Sequence, residues 1–217
     1  MCLIINENHL YNLVMESDIY KTIKSSSQGV FKDKGSRFIA LAYPVSNQEE
    51  IKPIIEKIRK DYHDARHHCY AYMIGHERLN WRVNDNGEPS GTAGKPILGQ
   101  INSYGLTNIL VVVIRYFGGT LLGVSGLINA YRSAAACAIT NAEIIDCTIQ
   151  EYYEITFKYF SMNDVMKILK EENIGQSDQM FDLECKIKIN FRASAKETIL
   201  KKLSGIEDLK CKFIRTL

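Results

Sequence analysis

The feature that most constrains the fold is an uninterrupted apolar run at residues 109–114, Ile-Leu-Val-Val-Val-Ile. A strand with one face in water alternates apolar and polar residues, whereas this run is apolar at every position. Its β-branched residues favour a strand, so we expect residues 108–114 to form the most buried strand of the chain. The run is far shorter than the roughly 18 apolar residues that span a bilayer, and no membrane segment is predicted.

The pattern around this strand predicts a mixed α+β domain. Turn residues separate short apolar runs, and isoleucines recur at helical spacing within residues 51–58. Four glycines at 118, 119, 123 and 126 are expected to form a loop. The predicted elements are a hairpin of strands 20–31 and 37–45, a helix that is capped by Ser46 or Asn47 and ends around residues 61–64, a hairpin of strands 69–75 and 79–83, and helices 96–103 and 125–142.

A different pattern begins after residue 146. From residue 148 the order is strand, helix, strand, strand, helix, strand, which is the ferredoxin-like split βαβ arrangement. The predicted strands are 148–160, 174–180, 182–192 and 206–215, and the predicted helices are 163–172 and 194–203. We therefore divide the chain into an N-terminal extension at 1–19, a first domain at 20–146 and a ferredoxin-like domain at 147–217.

Composition limits the classes of function without selecting one. The chain has 217 residues and a net charge of +2, so its bulk charge neither requires nor excludes a nucleic-acid partner. Its six cysteines include no C-x-x-C pair, which favours a reduced compartment. The first residues lack the basic and long apolar regions of a signal peptide. We expect a cytoplasmic protein with no membrane partner.

The first candidate functional segment is residues 84–96, Asn-Asp-Asn-Gly-Glu-Pro-Ser-Gly-Thr-Ala-Gly-Lys-Pro. Turn residues lead into a helix, whose first backbone N–H groups favour an anion. It is not a P-loop, because Pro89 stands where the first glycine belongs and Pro96 replaces the Ser or Thr that binds magnesium. The alternative is a loop of turn residues in which a hydroxyl caps the helix. The candidate ligand-binding residues are Asp85, Glu88, Ser90, Thr92 and Lys95.

The second candidate segment is residues 115–126, Arg-Tyr-Phe-Gly-Gly-Thr-Leu-Leu-Gly-Val-Ser-Gly, at the carboxyl end of the buried strand. The arginine offers a planar fork for phosphate or carboxylate, the aromatic rings offer flat faces to a base, and the glycines allow close approach. The spacing is not G-x-G-x-x-G, so no dinucleotide cofactor is predicted. The alternative is that the arginine pairs with an internal acid and the glycines serve packing. The candidates are Arg115, Tyr116, Phe117, Gly118 and Gly119.

The third candidate segment, residues 63–70, holds three histidines, an aspartate and a cysteine. His67 and His68 are adjacent at a strand start and point to opposite faces, and no second ligand cluster follows, so no metal site is predicted. We expect His67 at a polar strand edge near the glycine-rich segments.

Catalysis is a separate question. Asp85 and Glu88 are of the types needed for an acid–base pair, and Ser90 or Thr92 for a nucleophile with a histidine as its base. Spacing does not establish such geometry, so no catalytic residue and no cofactor is assigned. Whether the chain is an enzyme stays open.

Both glycine-rich segments, together with Lys34-Gly35-Ser36-Arg37-Phe38 and residues 65–72, resemble the signature blocks of the Impact/YigZ family. The resemblance extends from about residue 20 to the C-terminus. It implies a first domain similar to the second domain of ribosomal protein S5 and to the fourth domain of elongation factor G. It implies a second domain similar to domain V of elongation factor G. Eukaryotic relatives bind a partner of the amino-acid-starvation kinase pathway and so influence translation, but they lack this C-terminal domain.

Three functions are consistent with these observations. The first is a translation-associated regulator that binds RNA or the ribosome through a surface formed by Arg37, Lys95 and Arg115 with the aromatic residues 116 and 117. The second is a hydrolase acting on a phosphorylated or acidic small molecule, which a perturbed carboxyl pKa in a closed pocket would favour. The third is a protein–protein adaptor, which an exposed apolar patch beside the glycine-rich segments would favour.

Overall fold

The computed structural model describes residues 18–217, so the predicted N-terminal extension lies outside the described residues except for Asp18 and Ile19. The chain forms two units. One comprises Tyr20–Cys147, and the other comprises Thr148–Leu217 together with those first two residues. None of the helices within residues 18–217 is long and apolar enough to cross a membrane.

A five-stranded sheet forms the centre of the first unit. Its strands are β2 (Ser27–Asp33), β3 (Ser36–Pro44), β4 (His67–Ile74), β5 (Asn80–Asn84) and β6 (Ile109–Tyr116). The spatial order is β2-β3-β6-β4-β5, and every neighbouring pair is antiparallel. The strand that comes last in the chain therefore lies in the middle of the sheet.

Three helices cover this sheet, α1 (Ile51–Asp61) on one face and α2 (Gly94–Ser103) and α3 (Gly123–Thr140) on the other. Alternate residues of β6 pack into the two resulting cores: Val111 and Val113 with α2 and α3, Leu110 and Val112 with α1. All residues from 109 to 114 are fully buried. This arrangement confirms the prediction of a deeply buried strand, and burial on both faces explains its lack of polar positions.

Two predictions in this unit are wrong. The predicted strand 20–31 is two strands, because β1 (Ile19–Ile23) pairs with β7 (Ile144–Thr148) in a separate two-stranded sheet. The backbone N–H of Lys24 donates to the carbonyl of Glu143, which directs the chain away from β2. The predicted glycine loop is also shorter than expected, since α3 begins at Gly123; a glycine is tolerated in a first turn, where the N–H groups have no helical partner.

The second unit contains a four-stranded antiparallel sheet with two helices on one face. Its elements are β8 (Gln150–Lys158), α4 (Met162–Glu171), β9 (Gly175–Met180), β10 (Glu184–Arg192), α5 (Lys196–Ser204) and β11 (Lys210–Thr216). The spatial order is β11-β8-β10-β9, and the order of elements along the chain is the predicted one. The predicted strand 148–160 is interrupted at Ile149, whose N–H donates to the carbonyl of Asp18.

Asp18 is fastened to the second unit through its side chain as well. Its carboxylate accepts hydrogen bonds from the guanidinium of Arg192 at 2.8 and 2.9 Å and from the hydroxyl of Ser194 at 2.6 Å. These bonds, led by those from Arg192, lower the pKa of Asp18 to about 2. The ionised carboxylate thereby holds residue 18 against the end of β10.

Candidate functional site

The strand register arranges the candidate residues in two rows that lie on opposite faces of the sheet. Arg115 of β6 is paired with Phe38 of β3 and with His67 of β4, on the face covered by α2 and α3. The next residue, Tyr116, is paired with Arg37 and packs against the core under α1. Because successive side chains of a strand alternate in direction, these candidates do not form the single surface expected from the sequence.

Arg115 forms a buried ion pair. Its Nη1 donates to Oε1 of Glu88 at 2.8 Å, and only 7% and 4% of the two side chains are exposed. The hydroxyl of Tyr131 donates to the same carboxylate oxygen at 2.8 Å. The guanidinium also lies 5.5 Å from the ring centroid of Phe38 and 5.6 Å from that of Phe117. Arg115 therefore pairs with an internal acid, which was the alternative to a ligand-binding role.

Tyr131 and Cys69 complete this cluster. The hydroxyl of Tyr131 lies 3.3 Å from Sγ of Cys69, and the thiol also lies 2.9 Å from the carbonyl oxygen of Asp85. Burial raises the pKa of Tyr131 above its usual range and raises the pKa of Cys69 to about 12. Both groups are therefore protonated at neutral pH and act as hydrogen-bond donors. The sequence did not indicate this role for either residue, because Tyr131 lies in an apolar stretch that indicates only a core position and Cys69 was considered only as a metal ligand.

Asp85 closes the first glycine-rich segment on itself. Its carboxylate accepts hydrogen bonds from the backbone N–H groups of Gly91, Ala93 and Gly94 at 2.8–3.0 Å. Burial acts to raise the pKa of Asp85, but these three bonds and the charge of Lys95 outweigh it and lower the pKa. The N-terminus of α2 does attract an anion, as N–H groups without a helical partner predict, and that anion is the side chain of Asp85.

The hydroxyl and imidazole groups of the candidate site are directed to different partners. Thr92 is buried and donates to the carbonyl of Pro89 at 2.6 Å. Nδ1 of His67 lies 2.9 Å from the carbonyl oxygen of Asn86, and Nε2 of His68 lies 3.1 Å from a backbone carbonyl. Ser90 and Lys95 are exposed. Within residues 18–217 no hydroxyl is hydrogen-bonded to an imidazole, and the carboxylates of residues 85 and 88 hold separate sets of donors.

The two adjacent glycines of the second segment differ in what surrounds them. A Cβ on Gly118 would lie 1.9 Å from the carbonyl carbon of Gly35 in the β2–β3 turn, whereas a Cβ on Gly119 would meet nothing within 4 Å. The N–H of Gly118 also donates to Oγ of Ser36 at 3.1 Å. Gly119 has φ +84°, in the region that favours glycine. The first glycine thus serves close packing between two segments, and the second serves a backbone turn.

Two groups of exposed side chains flank this contact. One group, the basic turn, consists of Lys32, Lys34 and Arg37, which are exposed and form no ion pair among the described residues. The other group, the apolar segment, consists of Phe117, Leu121 and Val124, which are 56%, 82% and 59% exposed. Tyr116 is less available than either group, because its hydroxyl donates to the carboxylate of Asp64 at 2.7 Å.

Comparison with known proteins gives the class of this molecule. Residues 34–139, which include the basic turn from residue 34 onward and both glycine-rich segments, match the family described as the Impact N-terminal domain. Over 152 residues the chain is 34% identical to the IMPACT family member YvyE of Bacillus subtilis (strain 168), covering 70% of each protein. The chain belongs to the Impact family, which confirms the resemblance seen in its motifs.

A second curated relative and a solved structure extend this similarity. The IMPACT family member YigZ of Escherichia coli (strain K12) is 38% identical over 132 residues, which are 57% of this chain and 65% of that protein. A crystal structure described as that of a hypothetical protein is 27% identical, with a TM-score of 0.70, and the match covers 91% of this chain and 98% of the other. The similarity to that structure includes both units.

Proposed function

We propose that this Impact family member is a translation-associated regulator that binds RNA or the ribosome through the basic turn and Phe117. The observation that carries this proposal is the exposure of three cations with no ion partner among the described residues, beside an aromatic ring that is 56% exposed. Lysine and arginine neutralise phosphates, and an exposed ring stacks on a base. The rest of the chain is close to neutral, so any nucleic-acid contact depends on such a local cluster.

The family resemblance supports the same partner. It implies that the first unit is similar to the second domain of ribosomal protein S5 and that the second unit is similar to domain V of elongation factor G. Both are proteins that work on ribosomal RNA in the cytoplasm, and a cytoplasmic location is part of the proposal. Similarity of fold does not by itself assign a function, so the exposed residues provide the test.

The candidate residues divide into two roles under this proposal. Arg37 and Phe117 are exposed and contact the partner directly, whereas Lys95, which is also exposed, lies in α2 outside this surface and is not counted among its contacts. Arg115 and Glu88 hold the second glycine-rich segment against the first through their buried ion pair. Five further candidates position these segments: His67 and Asp85 by their bonds to loop backbone, Thr92 by its bond to a loop carbonyl, Gly118 by its contact with the β2–β3 turn, and Gly119 by its positive φ.

The test is a salt titration of binding to single-stranded RNA and to purified ribosomes. Each phosphate contact contributes a slope of about −0.7 to the dependence of log K on log salt for a single strand, so three cations predict about −2. Arg37→Ala and Lys34→Ala should each weaken binding and reduce the slope by about 0.7. Phe117→Ala should weaken binding by about 1–3 kcal/mol without changing the slope.

The matched control is Lys21→Ala. Lys21 is also exposed, but its backbone bonds to Thr107, at the opposite end of β6 from the basic turn. This variant should bind RNA as the wild type does. The proposal is wrong if neither RNA nor ribosomes bind at low salt, or if Lys21→Ala weakens binding as much as Arg37→Ala.

A protein–protein adaptor is a second candidate function, and the apolar segment favours it. An apolar surface beside the glycine-rich segments is the feature expected of a protein-docking site. Leu121→Glu separates the two candidates, because Leu121 is 82% exposed and the change leaves the core intact. Loss of ribosome binding with RNA binding retained would show that the segment contacts a protein, whereas unchanged binding to both would remove this alternative.

A further inference from the structure

One face of the first unit's sheet is only partly covered. Five strands about 4.8 Å apart place the outer strands roughly 19 Å from each other, whereas a single helix with its side chains is roughly 10 Å wide. The face under α2 and α3 is covered by two helices, but the opposite face has α1 alone. A groove of about 320 Å³ remains between α1 and the outer strand β5.

The floor of this groove is formed by two tyrosines of β4. Tyr70 and Tyr72 are 9% and 7% exposed, and neither phenol hydroxyl has a hydrogen-bond partner among residues 18–217. Ile51 and Ile55 of α1 supply an apolar wall. A hydrogen bond of 2.7 Å between the side chains of Gln48 and Asn80 joins the start of α1 to the start of β5. The groove is thus apolar in its depth and offers two unused donors.

The rim of the groove carries an excess of positive charge. Arg82 is paired in register with Tyr72 and so points to the same face, and Arg59 lines the groove from α1. Neither arginine forms an ion pair or side-chain hydrogen bond within the described residues. Lys52 and Glu56 also line it, 4.0 Å apart, and largely offset each other. Two guanidinium groups therefore remain uncompensated.

We propose that this groove binds a small phosphate monoester, with its phosphate between Arg59 and Arg82 and its apolar or aromatic body on the tyrosines and isoleucines. A phosphate monoester carries about −1.5 to −2 charges at neutral pH, which matches the two free arginines. The planar guanidinium forks bind phosphate oxygens in pairs, and the tyrosine hydroxyls donate to further oxygens. The groove lies at the lower end of the roughly 300–1,000 Å³ typical of small-molecule sites.

Calorimetric titration of the full chain tests this proposal, with phenyl phosphate and adenosine 5′-monophosphate as probes. At least one should bind saturably with a Kd below about 1 mM, and phenol and inorganic phosphate should each bind at least tenfold more weakly. Tighter binding of adenosine 5′-monophosphate would indicate a nucleotide ligand, and tighter binding of phenyl phosphate would indicate another aromatic phosphate. The absence of saturable binding by both esters, or equal binding of inorganic phosphate or of phenol, would overturn the proposal.

Variants locate the site. Arg82→Gln and Tyr72→Phe should each weaken the preferred ester about tenfold, since each removes a hydrogen bond to a charged group. Tyr72→Phe removes only a hydroxyl and keeps the core packing. The matched control is Lys57→Gln, an exposed lysine on the opposite side of α1, which should leave the affinity unchanged. An equal effect of Lys57→Gln would contradict the proposed location.

The groove shares no residue with the basic turn or the apolar segment, so its test is independent of the RNA test. Arg37→Ala should not change ester binding, and Arg82→Gln should not change RNA binding. If Arg82→Gln weakens RNA and ester binding alike, the groove is part of a continuous RNA surface, and a separate small-molecule site is ruled out.

Discussion

Arg37 and Arg115 lie on neighbouring strands, one position apart in register, yet their environments are opposite. Arg37 is exposed and forms no ion pair within the described residues, whereas Arg115 is buried between two aromatic rings and paired with Glu88. The two side chains point to opposite faces of the sheet. The residue type alone therefore does not show that an arginine of a family motif binds a ligand. The face of the sheet to which its side chain points determines whether it is available.

The largest expected effect is on stability, from breaking the buried pair. Arg115→Met leaves the Glu88 carboxylate buried with only the hydroxyl of Tyr131, and should lower the free energy of unfolding by about 3–5 kcal/mol. Arg37→Met should change it by less than about 0.5 kcal/mol. Urea denaturation followed by circular dichroism gives both values. Equal losses for the two variants would mean that the environments differ less than the register indicates.

This expectation determines which arginine is useful for binding experiments. A loss of RNA binding by an Arg115 variant cannot be separated from a loss of structure, whereas Arg37 variants should stay folded. The double variant Arg115→Met, Glu88→Leu tests whether the loss of stability comes from the unpaired buried charge. Because it removes both charges, it should be more stable than Arg115→Met alone.

The second effect compares the adjacent glycines. Gly118→Ala brings a methyl group within 1.9 Å of the backbone of Gly35 and should cost about 2–3 kcal/mol, because the β2–β3 turn must move. Gly119→Ala meets no atom within 4 Å and should cost only about 1 kcal/mol, from its positive φ. Thermal unfolding of the two variants measures the difference. If Gly119→Ala were the more damaging, the packing role assigned to Gly118 would be wrong.

The smallest effect concerns Asp85 and depends on pH. Its folded pKa lies below the usual value near 3.9, so the ionised carboxylate stabilises the fold above about pH 4, and this stabilisation is lost as the pH falls through the folded pKa. Asp85→Asn should therefore lower the free energy of unfolding by about 1–2 kcal/mol at pH 7. The difference in this free energy between the variant and the wild type should become smaller in acid.

The matched control is Asp61→Asn, at the exposed end of α1, whose carboxylate has no hydrogen bond among the described residues. It should shift the unfolding free energy by less than about 0.5 kcal/mol at every pH. A pH-independent difference between Asp85→Asn and wild type would show that the carboxylate's charge does not stabilise the loop.

Local patterns predicted much of this fold. The run at residues 109–114 identified the central strand, and the succession of strand and helix patterns after residue 148 identified the order of elements in the second unit. The strand predicted over residues 20–31 was wrong, since the polar residues at its middle mark a departure to another sheet. The N–H of Lys24 bonds to the carbonyl of Glu143, which lies more than a hundred residues away in the sequence. No local sequence pattern identifies a hydrogen-bond partner at that distance.

The candidate site was predicted by segment and not by role. Both glycine-rich segments do meet, but Asp85 caps donors six to nine residues away, a spacing outside the usual capping patterns. Tyr131 was recognisable only as a core residue, because its bond to Glu88 joins α3 to a loop 43 residues earlier. The groove beside α1 could not be predicted from the sequence, because it exists only where a single helix is narrower than the five-stranded sheet that it covers.

The central position of β6 also has a consequence for synthesis of the chain. The hairpins β2–β3 and β4–β5 are both complete by residue 84, but the edges that face each other stay unpaired until residues 109–116 are inserted between them. At roughly 5–20 residues per second, the ribosome needs about 2–6 s to add residues 85–116, plus the time for that strand to leave the exit tunnel. During that interval the nascent chain exposes two apolar strand edges, so it should depend on chaperones more than a sheet assembled in sequence order.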